Sequence, residues 1–142
     1  MHNPKVIAGL VLLVACVVAG CGPREVPRHP VRGQVFYRKK PLADAQVVFH
    51  VVDNSPQAAN KPIAITDEQG RFALTTMSRG DGAPPGEYVI TIELRELVTV
   101  GEEKVRSGRS LLPERYRHLE KSGLRFRVEK GENEVARIEL EG

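Results

Sequence analysis

Tryptophan is missing from this chain, and its 142 residues include only three Tyr and four Phe. A platform that stacks nucleic-acid bases draws on more aromatic surface than that, so single-stranded nucleic acid is excluded as a partner. The same poverty counts against a ring-stacking sugar site. Cysteine is nearly absent, with Cys16 and Cys21 as the two examples. Charge of one sign is lacking as well: 21 Lys and Arg face 18 Asp and Glu, for a net +3. The signs are interspersed, without the basic stripe of a nucleic-acid surface. No apolar run reaches the roughly 20 residues of a membrane-spanning helix. At 41% apolar and 27% charged residues, the composition is not that of a disordered chain. The length suits one domain and is too short for a barrel enzyme.

What is present begins with an address. Lys5 supplies a positive start, and an apolar stretch of 13 residues runs from Val6 to Val18 before the small pair Ala19-Gly20. That order is the pattern of a secretory signal. Val18-Ala19-Gly20-Cys21 resembles a bacterial lipobox. The resemblance implies cleavage before Cys21, lipid on its thiol and acylation of the new amino group. The other readings are a simple export signal with an incidental cysteine, or an uncleaved anchor. With Cys16 removed in the leader and Cys21 carrying lipid, no intramolecular disulfide is expected, although the compartment is oxidising. Gly22, rather than Asp, follows the cysteine, which resembles an export-permitted lipoprotein. Acyl chains contribute about 0.8 kcal/mol per buried CH₂. The expected product is held on the outer face of a membrane, periplasmic or cell-surface, through Cys21.

Residues 21–30 hold Pro23, Pro27 and Pro30 and are expected as an extended basic tether. From Cys21 to Lys40 six basic residues meet a single acid, Glu25, whereas 41–142 carry 14 basic and 17 acidic residues. Arg24 and Arg28 are the candidates for attraction to anionic headgroups. Arg38, Lys39 and Lys40 are ordinary turn and loop chemistry.

From Val31 onward, apolar side chains recur with period two. The expected core positions are Val31, Gly33, Val35 and Tyr37; Ala45, Val47, Phe49 and Val51; Phe72, Leu74 and Thr76; and Tyr88, Ile90, Ile92 and Leu94. A short strand lies over Pro62–Thr66, and Asp67-Glu68-Gln69-Gly70 is a turn. Arg38 to Pro41 makes another. Gly101–Ser110 is expected as a mobile loop, and Leu111–Tyr116 as a turn of helix or a crossing segment. Leu124, Phe126 and Val128 alternate, as do Ala136, Ile138 and Leu140. A three-residue loop, Gly131-Glu132-Asn133, would pair these two runs as an antiparallel hairpin, setting 128 against 136, 126 against 138 and 124 against 140. It would also set Arg125 opposite Glu139 and Asn133 in a left-handed position. The fold class is therefore all-β, a two-sheet β-sandwich of about seven strands.

The ordered series Val31-x-Gly33-x-Val35, Lys40-Pro41-Leu42-x-x-Ala45-x-Val47-x-Phe49, Thr66-Asp67-x-x-Gly70-Arg71-Phe72-x-Leu74 and Gly82-x-Pro84-x-Gly86-x-Tyr88-x-Ile90 resembles the carboxypeptidase regulatory-like domain, a transthyretin-like (prealbumin-like) sandwich. Leu112-Pro113-Glu114-Arg115-Tyr116, Ser122-Gly123-Leu124 and Gly131-x-Asn133 extend the likeness to small bacterial lipoproteins made of this domain. It covers about residues 31–142. It implies no catalytic residue, no cofactor and no metal, since that domain is an accessory to zinc carboxypeptidases and lacks their metal site. Structural roles fit the motif residues: Gly33 and Gly70 for bulge or turn geometry, Asp67 for its own turn, and Tyr88 in the core with its hydroxyl at a rim.

The remaining chemistry is sparse. His29, His50 and His118 have no metal-ligand spacing. Asp53, Asp67, Asp81 and Glu87 could in principle meet around calcium but lack a dedicated loop pattern. No serine sits in a Gly-x-Ser-x-Gly context. Purine-pathway hydrolases of transthyretin type share only the fold class; their terminal motif is replaced here by Glu139-Leu140-Glu141-Gly142. The expectation is a non-enzymatic, lipid-anchored envelope module that meets a protein partner or serves a structural role. The alternative is a glycan-binding module using Arg115, Tyr116 and His118 beside the 101–110 loop. Neither the partner nor the oligomeric state is legible in the sequence.

Overall fold

β1 (Val31–Tyr37) is the spine of the first sheet in this computed structural model, which describes Gly20, Gly22 and residues 25–142. Residues 1–19 of the leader, Cys21, Pro23 and Arg24 lie outside the described residues. Val31, Gly33 and Val35 face inward from β1 while Arg32 and Gln34 do not, as the alternation requires. One edge of β1 pairs antiparallel with β2 (Lys40–Pro41) and β5 (Arg71–Ala73). The other edge pairs parallel with β10 (Asn133–Glu134) and β11 (Ile138–Leu140), the end of the chain.

The second sheet has the order β4 (Ile63–Ile65), β3 (Gln46–Val51), β6 (Gly86–Glu93), β9 (Leu124–Val128), all antiparallel. Its inward residues Val47, Phe49, Tyr88, Ile90 and Ile92 meet Val31, Val35, Phe72, Leu74 and Leu140 of the first sheet in one core. Phe49 sits at the middle, with ring centroids of Phe72, Tyr88 and Phe126 at 6.4, 5.7 and 6.2 Å. The expected two-layer, all-β architecture is therefore what forms. Its seven principal strands are β1, β3, β4, β5, β6, β9 and β11, joined by the two-residue pieces β2 and β10 and by a separate ribbon.

That ribbon corrects one expectation. Residues 101–110 are not a loop: β7 (Arg95–Val100) and β8 (Glu103–Ser110) form an antiparallel two-stranded ribbon, turning at Gly101, whose φ is +64°. Both faces of the ribbon are largely exposed, so its sequence has no apolar alternation to betray it.

A second correction concerns the last two strands. They do not form a hairpin: β9 pairs with β6, and β11 crosses to the opposite sheet to pair with β1. Arg125 lies beside Val89, and Glu139 beside Phe36. The connection is an arch braced by Asn133, whose side chain accepts the Glu129 N–H at 2.9 Å and donates to the Glu129 and Gly131 carbonyls at 2.9 and 3.0 Å. Gly131, not Asn133, takes the positive φ, +101°. Ala136 is exposed and Val135 is buried instead. The cause is one extra residue in the parallel ladder: partners are 102 positions apart at Val31/Asn133 and 103 apart at Val35/Ile138. An inserted residue reverses which side chains face inward.

The chain is already part of the fold before β1. His29 and Ala83 exchange backbone hydrogen bonds of 2.9 and 3.0 Å. A Cβ on Gly82 would lie 1.7 Å from the His29 carbonyl oxygen, so this contact requires glycine there. The Pro30 carbonyl accepts the Asn133 N–H at 2.9 Å, and His29 Nδ1 accepts the Gly131 N–H at 3.1 Å.

Candidate functional site

A cleft of about 500 Å³ opens between the outer face of the second sheet and the ribbon. Register builds its floor. Gln46 lies opposite Ile65 on one side and Glu93 on the other, so the three side chains form one row across β4, β3 and β6. They point outward because their neighbours Ala64, Val47 and Ile92 are buried. The ribbon contributes Arg95, Leu97 and Arg106 as the wall, and Asp44 closes the rim.

Local backbone geometry sets Asp44 in place. It has a φ of +58°, a conformation that Asp tolerates better than most residues. Its N–H donates to the Thr66 carbonyl at 3.0 Å, and the buried Thr66 hydroxyl accepts the Ala45 N–H at 2.9 Å. The Asp44 carboxylate thereby meets Arg106 Nη2 at 2.5 Å, while Arg106 Nη1 donates to the Arg95 carbonyl at 3.0 Å. Across the cleft, Glu93 Oε1 lies 3.0 Å from Arg95 and 3.8 Å from Arg117. Two ion pairs thus flank an aliphatic strip, Ile65 at 58% and Leu97 at 50% exposure. The arrangement has hydrogen-bonding groups of both signs and an apolar floor. It suits the binding of an extended, partly apolar segment.

The residues singled out for sugar contact do not assemble a site. Tyr116 is buried in the core, on the 3₁₀ turn Glu114–Arg117. Its hydroxyl accepts from the Glu141 N–H and from Arg115 Nη2, each at 2.8 Å, and the Arg115 guanidinium stacks 4.8 Å from its ring centroid. Tyr116 therefore pins the C-terminal strand and has no ring face to offer. His118 is exposed at the end of that turn. The cleft residues escaped the sequence reading because Ile65, Gln46 and Glu93 sit on three separate strands. Only their register brings them together.

The histidines and acids raised for metal work are scattered. His50 Nε2 lies 2.8 Å from the Thr91 hydroxyl, and burial, with Lys61 adding to it, pushes the His50 pKa below its ordinary value. Asp67 accepts the Gln69 and Arg71 N–H groups at 2.9 Å each, closing its own turn as expected. Asp81 accepts from Thr76, Met77 and Ser78 at 2.8, 3.2 and 3.0 Å and pairs with Arg28 Nε at 2.6 Å. Glu87 pairs with Arg127 at 3.3 Å. Among the described residues no three His, Cys, Asp or Glu side chains come together as a metal site, and no helix is long and apolar enough to cross a membrane. Arg28 is held by Asp81 and by Glu25, the latter at 2.7 Å, so its charge is engaged within the protein.

The class defined here is a small all-β sandwich with an appended ribbon and an outward cleft. No family model and no curated protein matches the sequence. Among solved structures, the chain is similar to a 9R-lipoxygenase from Cyanothece PCC8801, with 13% identity, a TM-score of 0.45, and coverage of 80% of this chain and 16% of that one. It is also similar to a DUF3823 family protein from Parabacteroides merdae, with 17% identity, a TM-score of 0.40, and coverage of 82% and 46%. A candidate carbohydrate-binding protein from Pseudomonas aeruginosa shows 14% identity, a TM-score of 0.43, and coverage of 82% and 90%. The chain thus spans a small part of the lipoxygenase and less than half of the DUF3823 protein.

Proposed function

We propose that this protein is a non-enzymatic, lipid-anchored envelope module of the carboxypeptidase regulatory-like kind, which binds a protein partner in the cleft between its second sheet and its ribbon. The observation that carries the binding reading is the in-register row Ile65-Gln46-Glu93 facing Leu97 and Arg106 across an open cleft. Apolar residues left half exposed beside ion pairs are the composition of a contact surface. Anchoring is supported by Val18-Ala19-Gly20-Cys21 directly after the apolar run. A protein segment suits the aliphatic floor better than a sugar does, since no aromatic ring lines the cleft.

The test places a photo-crosslinking residue at Leu97 in cells, with Lys40 as a control site on β2. A discrete protein adduct from Leu97, absent from Lys40 and lost in Ile65→Asp, supports the reading. Adducts to glycan alone would transfer the cleft to the sugar-binding alternative. Intact-mass analysis of the membrane-extracted protein, with and without Cys21→Ser, tests cleavage and acylation separately.

A further inference from the structure

Residues 28–30, which precede the first strand, are tied to one end of the sandwich and not to the other. His29 pairs with Ala83, Arg28 with Asp81, and Gly131 donates to His29. Strand directions define the two ends. β1 leaves this end at Val31 and finishes at Tyr37, beside Lys40. β6 starts three residues after Ala83 and finishes at Glu93. β3 runs antiparallel to β6, so Gln46 lies with Glu93. The cleft therefore sits at the end opposite the clamp, about 20 Å away at strand rise.

From these placements we propose that the clamp end, formed by the 76–83 and 129–132 loops, is the surface that faces the lipid bilayer, so that the cleft opens away from it. The inference rests on the anchored reading above. Seven residue steps separate Cys21 from Arg28, a span of at most about 25 Å even when fully extended. The clamp keeps that leash short, because without the Arg28 and His29 contacts the free chain would extend to β1. Met77, 62% exposed, and Arg79 lie on the 76–83 loop. Lys130 and Arg79 at this end are balanced by Glu129 and Glu132. The leash, and not headgroup charge, is accordingly what orients the domain.

The experiment uses the processed, lipidated protein purified from membranes, in which no other free thiol is expected. Arg79→Cys at the clamp end and Lys40→Cys at the far end are each labelled with a fluorophore. Both are reconstituted in phosphatidylethanolamine and phosphatidylglycerol vesicles carrying a headgroup-nitroxide lipid. The Arg79 label should be quenched about threefold more than the Lys40 label, since contact quenching does not reach across about 20 Å. A Gly/Ser insertion of about twelve residues after Pro23 should erase most of that contrast, because it turns the leash into a long flexible coil. Equal quenching of both labels in protein that floats with the vesicles overturns the orientation. Protein that does not float overturns the anchor itself, a separate result.

Discussion

At the scale of single residues, two polar side chains, the buried Tyr88 and the half-buried Asp81, hold the clamp end together and should report on it. Tyr88 is almost fully enclosed, and its hydroxyl donates to the Pro84 carbonyl at 2.8 Å, four residues upstream. Burial, with the Asp53 charge adding to it, pushes its pKa up to about 12. A neutral phenol favoured in the folded state gives stability that is complete below the unfolded value near 10 and lost as pH rises toward 12. Absorbance titration should show a tyrosine transition near pH 12 that is absent from Tyr88→Phe, with unfolding over the same interval. Tyr88→Phe should cost about 1–2 kcal/mol in urea denaturation, because it leaves the Pro84 carbonyl without its donor. Asp81 works in the opposite pH direction. Burial raises its pKa, but hydrogen bonds from the Thr76, Ser78 and Met77 N–H groups, with Arg28 nearby, outweigh that and bring it below the ordinary value. Its contribution is present above the unfolded carboxylate pKa and disappears as pH falls through the folded one. Asp81→Ala should cost about 1–2 kcal/mol at neutral pH, since it leaves the part-buried Thr76 N–H without its acceptor and Arg28 without its Asp81 partner. That difference from the unaltered protein should shrink in acid.

The elements show how far a pattern carries. Period-two alternation found the inward faces of β1, β3, β6 and β9, because burying one face of a sheet imposes that period wherever the strand lies. It did not find partners. Residues 124–128 and 136–140 satisfied every local condition of a hairpin: apolar sets in phase, a short loop, and opposite charges at 125 and 139. The arch that actually forms meets the same apolar conditions, because both layers of a sandwich face the same core. Only long-range pairing with β1 and β6 separates the two arrangements. Gly33 is a related case. It sits inside β1 with no turn to make, and a Cβ there would meet the Phe72 ring at 2.5 Å; its smallness admits a ring from the neighbouring strand. The β1–β2 turn was visible as a turn, but not as a strained one. Arg38 and Lys39 adopt φ of +49° and +64° in a two-residue connection between Tyr37 and Lys40, the geometry that Asn-Gly serves best. Each left-handed residue with a Cβ costs roughly 1–2 kcal/mol. Replacing Arg38-Lys39 with Asn-Gly should therefore raise stability by about 1–2 kcal/mol, measured as a higher denaturation midpoint with unchanged slope.

On the scale of the whole molecule, the sandwich and the ribbon answer to different constraints. No side chain from 95–110 belongs to the buried core, and a two-stranded ribbon is marginal in water when nothing covers it. The ribbon is tied down at its base by the Arg106–Asp44 ion pair and by the Arg109–Glu96 pair within it. Beneath it the chain closes without its help: the Leu111 N–H donates to the Leu94 carbonyl at 2.7 Å, so the two ends of the excursion are already hydrogen-bonded to each other. From there Leu112 and Tyr116 return to the core. An excursion attached at hydrogen-bonded ends can be shortened without disturbing the layers that bear it. Replacing residues 96–109 with Asn-Gly should leave the fold intact and lower its stability by less than about 1 kcal/mol. It should also remove one wall of the cleft, and with it any adduct formed from crosslinkers on the remaining floor, such as at Gln46. Substantial unfolding of the shortened protein would show that the ribbon stabilises the sandwich. An undiminished adduct from Gln46 would mean that binding needs only the row on the sheet.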